Sequence, residues 1–208
     1  AGPGGSGPQR QSGTPPAPCG AQFGRAAAEN GCDKAGLRLP ADGRMQLKTT
    51  RFLAPSGWAA PLPTAMDGPR TLVLAFGASA FAEQPQPFAE LRAAFPQAVL
   101  LGCSTAGEVI GSQMHDDSIG VAVARFAHTE LRHAATELQG PHDCRPAGAR
   151  LAHQLQAPGL RAVFLLGDGL HVSGSALLAG LAQNLPDDVH VCGGLAGDGE
   201  RFARTWVL

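Results

Sequence analysis

The sequence predicts an α/β fold with a mixed sheet, built from two repeated βαβ units with an antiparallel hairpin between them. Residues 71–108 and 161–198 align without gaps at an offset of 90 residues. Each copy has an apolar run that ends in Gly, a helical segment that ends at a Pro, and a second short apolar run before a Gly-rich loop. Short apolar runs bounded by turn residues are typical of strands buried on both faces, and a strand–helix–strand unit of this size forms a right-handed parallel crossover.

In the first copy, the apolar run over 71–76 predicts a buried strand. The segment 87–95 predicts a helix, and Pro96 ends it because proline cannot continue a helix. A short strand is predicted over 98–101, and it leads into a Gly-rich loop.

The second copy repeats this order. A strand is predicted over 161–166 and a helix over 173–185, with Ser173 as the N-cap because its hydroxyl can accept a hydrogen bond from the first helical turn. Pro186 ends this helix, and a short strand over 189–192 follows. Together the two copies predict two parallel strand pairs.

The segments outside the repeat add antiparallel strands and a helix. Apolar and polar residues alternate over 118–126 and again over 129–138, and the two-residue connector between them predicts an antiparallel hairpin. A helix is predicted over 146–156, and a final strand over 202–208. The predicted order is therefore βαβ–ββ–α–βαβ–β.

The first 44 residues have a different composition from the rest. Residues 1–20 contain eleven Gly or Pro, and residues 1–44 show neither strand nor helix periodicity. Such a segment cannot bury enough apolar surface to offset its ordering entropy. It is predicted to be a disordered, low-complexity N-terminal segment, and 45–208 to be the folded domain. Because Met45 is the first methionine, a second interpretation stays open: residues 1–44 are non-native upstream sequence.

Charge and cysteine content exclude several classes of protein. The net charge is −1 and the basic residues are scattered, which argues against a nucleic-acid-binding protein. Five cysteines without a CxxC pair are typical of free thiols in a reducing compartment. No apolar run approaches the roughly 20 residues of a membrane helix. These features predict a cytoplasmic protein without membrane insertion.

A ligand site is predicted where the strands of the two copies end. Ligands of open α/β sheets bind at the carboxyl ends of strands, and the loops here combine Gly with small hydroxyls and acids. If the two copies pack side by side, these loops fall on one edge. The predicted ligand-binding residues are Ser79, Cys103, Ser104, Thr105, Glu108, Asp168, His171, Gly193, Gly194 and Asp198.

Some of the same residues are also compatible with two other functions, a hydrolase and a haem-binding protein. The run around Ser104 resembles a G-x-S-x-G nucleophile elbow, which makes Ser104 or Cys103 a candidate hydrolase nucleophile with Asp168 and His171 as partners. The elbow requires a helix directly after the serine, and residues 107–111 start a helix poorly. His171 is also a candidate haem ligand. The prediction is a protein that is not an enzyme, with no catalytic residue, no metal ligand and no cofactor; haem is the alternative cofactor.

From about Arg70 onward the chain resembles the N-terminal part of the FIST domain, a sensory region of bacterial signal-transduction proteins. The resembling residues are Leu101-Gly102-Cys103-Ser104-Thr105-Ala106-Gly107-Glu108, Asp116-Asp117-Ser118, Gly167-Asp168-Gly169, Gly174-Ser175-Ala176, Gly193-Gly194-Leu195-Ala196-Gly197-Asp198, Arg201-Phe202 and Thr205.

This resemblance implies a small-ligand sensor, with amino acids or related metabolites as the ligand class. It implies a partner in signal transduction, such as a histidine kinase of a two-component system, a chemotaxis receptor or a cyclic-dinucleotide signalling protein. Some relatives bind haem and sense nitric oxide, which is the alternative function. The family pattern continues into a C-terminal half beyond Leu208, so the chain is expected to be a fragment.

Overall fold

The computed structural model describes residues 45–140 and 142–208 of the chain. The predictions for residues 1–44 lie outside these residues. Within the described part, a five-stranded mixed sheet, two small two-stranded sheets and three α-helices confirm the α/β class with a mixed sheet. The elements in chain order are β1 Met45–Leu53, β2 Gly57–Trp58, β3 Thr71–Ala78, α1 Gln86–Ala94, β4 Val99–Thr105, β5 Glu108–Ile110, β6 Gln113–His115, β7 Ser118–Phe126, α2 Cys144–Leu155, β8 Ala162–Gly167, α3 Gly174–Ala182 and β9 His190–Leu195.

The five-stranded sheet has the order β2-β1-β7-β3-β4. The first βαβ unit supplies its parallel pair, because β3 and β4 pair from Leu72 opposite Val99 to Ala78 opposite Thr105. The central strand β7 runs antiparallel to both β3 and β1. Helix α1 crosses between the two parallel strands, as the sequence predicts.

One hydrophobic core lies between this sheet and α1. Val73 and Ala75 of β3 are fully buried, as are Ile119 and Val123 of β7. Phe88, Leu91 and Phe95 recur at the three- and four-residue spacing of one helix face, and they pack into the same cluster. The ring of Phe88 lies 4.8 Å from the ring of Trp206, so the end of the chain also closes this core.

The second βαβ unit forms its own layer. Strands β8 and β9 are parallel, and α2 and α3 pack over one face of them around Val163, Leu177 and Leu181. The predicted repeat is therefore confirmed as two parallel units. Their registers differ by one residue: Leu72 pairs with Val99, while its repeat equivalent Ala162 pairs with His190.

The predicted hairpin of 118–126 with 129–138 is wrong. Residues 129–138 form no strand, and β7 pairs with β1 over its whole length on one edge and with β3 over 119–125 on the other. Because both edges of β7 are occupied, no edge remains for a following strand. The chain leaves the sheet instead, and Ala134 and Leu138 pack against the core formed by α2 and α3.

The predicted final strand over 202–208 is reduced to a single antiparallel bridge between Cys103 and Val207. The N–H of Ser104 donates to the carbonyl of Trp206 at 2.9 Å, and the N–H of Leu208 donates to the carbonyl of Gly102 at 2.9 Å. These bonds cover part of the open edge of β4. They also bring residues 205–208 next to the ends of both βαβ units.

Candidate functional site

A cleft of about 740 Å³ opens at the carboxyl end of β8. This volume lies within the roughly 300–1,000 Å³ that is usual for small-molecule sites. The cleft lies between the segment before α2, helices α2 and α3, and the loop after β8. Its walls are mostly apolar, and these residues are Leu138, Ala147, Leu151, Leu165, Leu166, Leu170, Val172, Leu177 and Val207.

Asp168 provides a carboxylate at this cleft, directly after the last residue of β8. Its Oδ1 accepts hydrogen bonds from the Leu170 N–H at 2.8 Å and from the Thr205 hydroxyl at 2.6 Å. Its Oδ2 accepts from His171 Nδ1 at 2.7 Å. Burial raises the pKa of Asp168, but these hydrogen bonds outweigh burial and leave it below its ordinary value. The side chain is therefore an ionised carboxylate at neutral pH.

His171 lies at the mouth of the cleft, and its side chain is 74% exposed. Because an ionised carboxylate can only accept hydrogen bonds, His171 carries a proton on Nδ1. In the neutral ring, Nε2 then has a free lone pair. The pair therefore presents a carboxylate and an imidazole nitrogen side by side.

Residues 136–140, named here the strap, form one wall of the cleft. Arg150 of α2 fixes the strap, since its Nε donates to the Thr136 hydroxyl at 3.1 Å and its Nη2 to the Glu137 carbonyl at 3.0 Å. The same guanidinium forms two bonds to Asp143, at 2.9 Å and 2.6 Å. The hydrogen bonds from Arg150 lower the pKa of Asp143 to about 2, and a bond from the Gln139 N–H adds to this effect.

Asp198 binds the loops of the two βαβ units together. It accepts hydrogen bonds from the Ser79 hydroxyl and from Arg201 Nε, the latter at 2.9 Å. Its Oδ2 accepts from the N–H groups of Ala203 at 3.0 Å and Arg204 at 2.9 Å. Its side chain is only 3% exposed. The Ser79 hydroxyl, the two N–H groups and Arg201 lower the pKa of Asp198 against the opposing effect of burial.

Ser104 and Cys103 are enclosed in β4. Ser104 is fully buried, and its Oγ accepts a hydrogen bond from the Trp206 N–H at 3.1 Å. Its carbonyl accepts from the Gly197 N–H at 2.7 Å. Cys103 is 4% exposed, and burial raises the pKa of its thiol. Strand β5, and not a helix, follows this segment, so the structure lacks the backbone geometry of a nucleophile elbow.

Thr105 and Glu108 belong to a third polar group at the end of β4. The hydroxyl of Thr105 donates to Glu108 at 2.7 Å, and the hydroxyl of Ser118 donates to Glu108 at 2.6 Å. Glu108 and Ser118 are buried, so this carboxylate joins the ends of β4, β5 and β7.

Gly193 and Gly194 lie within β9, opposite Leu165 and Leu166 of β8. A Cβ at Gly193 would lie 1.8 Å from the carbonyl oxygen of Leu165, and the φ angle of Gly193 is +143°. Both features require glycine there. Neither glycine lines the cleft.

The structure thus places the ten predicted site residues in five groups. Asp168 and His171 line the cleft. The others are the Asp198 group with Ser79, the buried pair Cys103 and Ser104, the Glu108 group with Thr105, and the two glycines of β9. Sequence reasoning missed the strap and Val207 as walls of the cleft. The alternation over 129–138 signalled one buried face, but that face packs on α2 and α3 and not in a sheet.

None of the helices in the described residues, 45–140 and 142–208, has the length and apolar character needed to cross a membrane. The His, Cys, Asp and Glu side chains of the same residues form no group of three or more that could hold a metal ion.

Comparison with known families gives one match. A family model described as the FIST N domain matches residues 71–208, about two thirds of the chain. No curated protein and no solved structure matches at a significant level.

Proposed function

Since the chain belongs to the FIST N domain family, a family of sensory domains in signal transduction, we propose that it binds a small ligand in the cleft at Asp168 and His171 and signals to a partner protein. The expected ligand class is amino acids or related metabolites. The expected partner is a histidine kinase or a cyclic-dinucleotide signalling protein, and the expected location is the cytoplasm.

One observation carries this proposal: an apolar cleft of about 740 Å³ ends at a carboxylate and an imidazole. Small-molecule sites combine mostly apolar walls with a few polar groups that orient the ligand. The position at the carboxyl end of a parallel strand is where open α/β sheets bind ligands. The proposal includes no catalytic step, because Ser104 and Cys103 are enclosed and Asp168 and His171 lie beside no exposed nucleophile in the cleft lining.

A thermal-shift screen of the full chain against amino acids and related metabolites tests the proposal. A ligand present at a hundred times its dissociation constant adds about 2.7 kcal/mol to the free energy of unfolding. For a chain of this size, we expect the melting temperature to rise by roughly 5–10 °C. A cooperative melt that no compound in the screen shifts would contradict the proposal.

The same screen with two matched variants locates the site. Asp168→Asn keeps the shape of the side chain but removes its charge, and we expect the shift to be lost. Asp188→Asn is the control, since Asp188 is exposed and pairs with Arg161 at 2.6 Å at the other end of β8. A shift that survives in Asp168→Asn would place the ligand elsewhere.

A haem-based sensor is the second candidate, and the geometry of His171 favours it. A metal-ligating histidine almost always donates its other ring N–H to a carboxylate, a backbone carbonyl or water, and His171 donates to the carboxylate of Asp168. His171 Nε2 would then hold the haem iron, and the haem would supply the chemistry that binds nitric oxide. Titration of the chain with haemin would give a Soret band that His171→Ala abolishes. The exposed His153→Ala is the matched control and should keep that band.

A further inference from the structure

Within the described part of the chain, the cleft is lined by two acidic side chains and by no Lys or Arg. Glu137, Asp168, His171 and Thr136 are the polar side chains among the described residues that line it, and none of the lining residues is Lys or Arg. A bound amino acid presents both an ammonium and a carboxylate. This cleft has a partner of opposite charge for the first group only.

Asp168 has one acceptor position left for a ligand. A carboxylate has about four lone-pair positions, two on each oxygen. Leu170 and Thr205 fill the two positions of Oδ1, and His171 fills one position of Oδ2. The remaining position requires a hydrogen-bond donor from the ligand. A cationic donor forms the stronger bond, because it adds the attraction between opposite charges to a hydrogen bond that the ionised carboxylate already strengthens.

The guanidinium of Arg150 is already engaged, and Arg150 is not among the residues that line the cleft. Arg150 contacts the strap, but its Nε donates to Thr136 and its Nη2 to the Glu137 carbonyl. Its charge is already paired with Asp143 through two hydrogen bonds. A ligand carboxylate would therefore lose water without gaining a cation, and it would lie near the like charge of Asp168.

We infer that the cleft selects an apolar primary amine, such as a decarboxylated amino acid, over the amino acid that has the same side chain. The inference rests on the proposed function and narrows its ligand class. The apolar walls bind the hydrocarbon part, and Oδ2 of Asp168 accepts a hydrogen bond from the ammonium group.

Three compounds with one phenyl group test the inference: 2-phenylethylamine, L-phenylalanine and 3-phenylpropanoate. Isothermal titration of each into the full chain gives the dissociation constants. We expect the amine to bind at least about tenfold more tightly than the amino acid, and the acid more weakly still. In Asp168→Asn, the affinity for the amine should fall by about tenfold or more, while Asp188→Asn should leave it unchanged.

The outcomes separate the inference from the proposed function. Equal or tighter binding of L-phenylalanine overturns the amine preference, but it leaves a ligand-binding sensor. Binding of the amine that Asp168→Asn does not weaken also overturns the inference. If none of the three binds, the inference fails, and the wider thermal-shift screen decides the proposed function by itself. The comparison of the three compounds uses the wild-type chain, so it does not depend on the folding of the variant.

Discussion

Helices α2 and α3 approach each other closely at two glycines, and a methyl group at either one tests how tightly they pack. A Cβ at Gly148 would lie 2.2 Å from the carbonyl oxygen of Leu177, and a Cβ at Gly180 would lie 2.0 Å from the carbonyl oxygen of Arg145. Ordinary contact begins at 3.4 Å, so the helices would have to separate by more than 1 Å. Both opposing atoms are backbone, which cannot rotate away.

The sign of the change in the free energy of unfolding shows whether the close contact or helix propensity dominates the effect of Gly148→Ala. Alanine in a helix interior is favoured over glycine by about 0.8–1.0 kcal/mol, so propensity alone predicts that Gly148→Ala stabilises the chain. Overpacking of a well-packed site costs typically about 1–3 kcal/mol, and a backbone clash lies at the upper end of this range. The expected net loss is about 1–2 kcal/mol, which lowers the melting temperature by roughly 2–8 °C.

Thermal unfolding followed by circular dichroism measures this difference. The control is Gly194→Ala, where an added Cβ meets no atom within 4 Å and the melting temperature should change little. Ala147 and Leu151 of α2 and Leu177 of α3 line the cleft, so Gly148→Ala should also reduce the ligand-induced shift. A higher melting temperature for Gly148→Ala would refute the close packing described here.

Three further predictions follow from the buried and paired groups. Arg150→Met should return the pKa of Asp143 from about 2 toward its ordinary value near 4, as measured by a carboxyl-carbon NMR titration. Because that pKa is lowered by folding, its stabilising contribution is fully present above about pH 4 and is lost as the pH falls toward 2. Asp198→Ala should lower the melting temperature at pH 7, and the difference from wild type should shrink on acidification, since this pKa is also lowered by folding. Alkylation mapped by mass spectrometry should label the exposed Cys192 well before the buried Cys103, whose raised pKa keeps the thiol protonated, and faster labelling of Cys103 would contradict its enclosure in β4.

The parts of the fold that sequence predicts well are those whose pattern comes from burial. The strands over 71–76 and 161–166 are apolar runs, and Pro96 and Pro186 limit how far the helix of each unit can extend. Strand β1 was not predicted, because it lies near the edge of the sheet and only two of its nine residues are buried. The alternation over 129–138 and the two-residue connector predict a hairpin with 118–126, but β1 occupies the edge of β7 that this hairpin needs. The alternation shows that one face is buried, and it does not show whether that face packs in a sheet or against helices.

The site residues were harder to predict from the sequence, because the same residue types serve two different roles. Gly-rich loops with small hydroxyls and acids at strand ends are what a ligand site requires, and they are also what a buried polar network requires. Ser79 and Asp198 are 119 residues apart, and sequence alone gives no indication that they bond to each other. Only the hydrogen-bond partners of each side chain in the folded structure distinguish a ligand site from a buried polar network.

The number of hydrogen-bond donors to each carboxylate, together with its exposure, distinguishes a structural carboxylate from one that is free to bind a ligand. Asp198 accepts from four donors, which fill all its lone-pair positions, and it is 3% exposed. Glu108 accepts from two donors and has positions left, but it is only 4% exposed. Asp168 accepts from three donors, lines the cleft and is 37% exposed. It combines a free acceptor position with access from solvent, and this combination is the reason to propose Asp168, of the three carboxylates, as the one that binds the ligand.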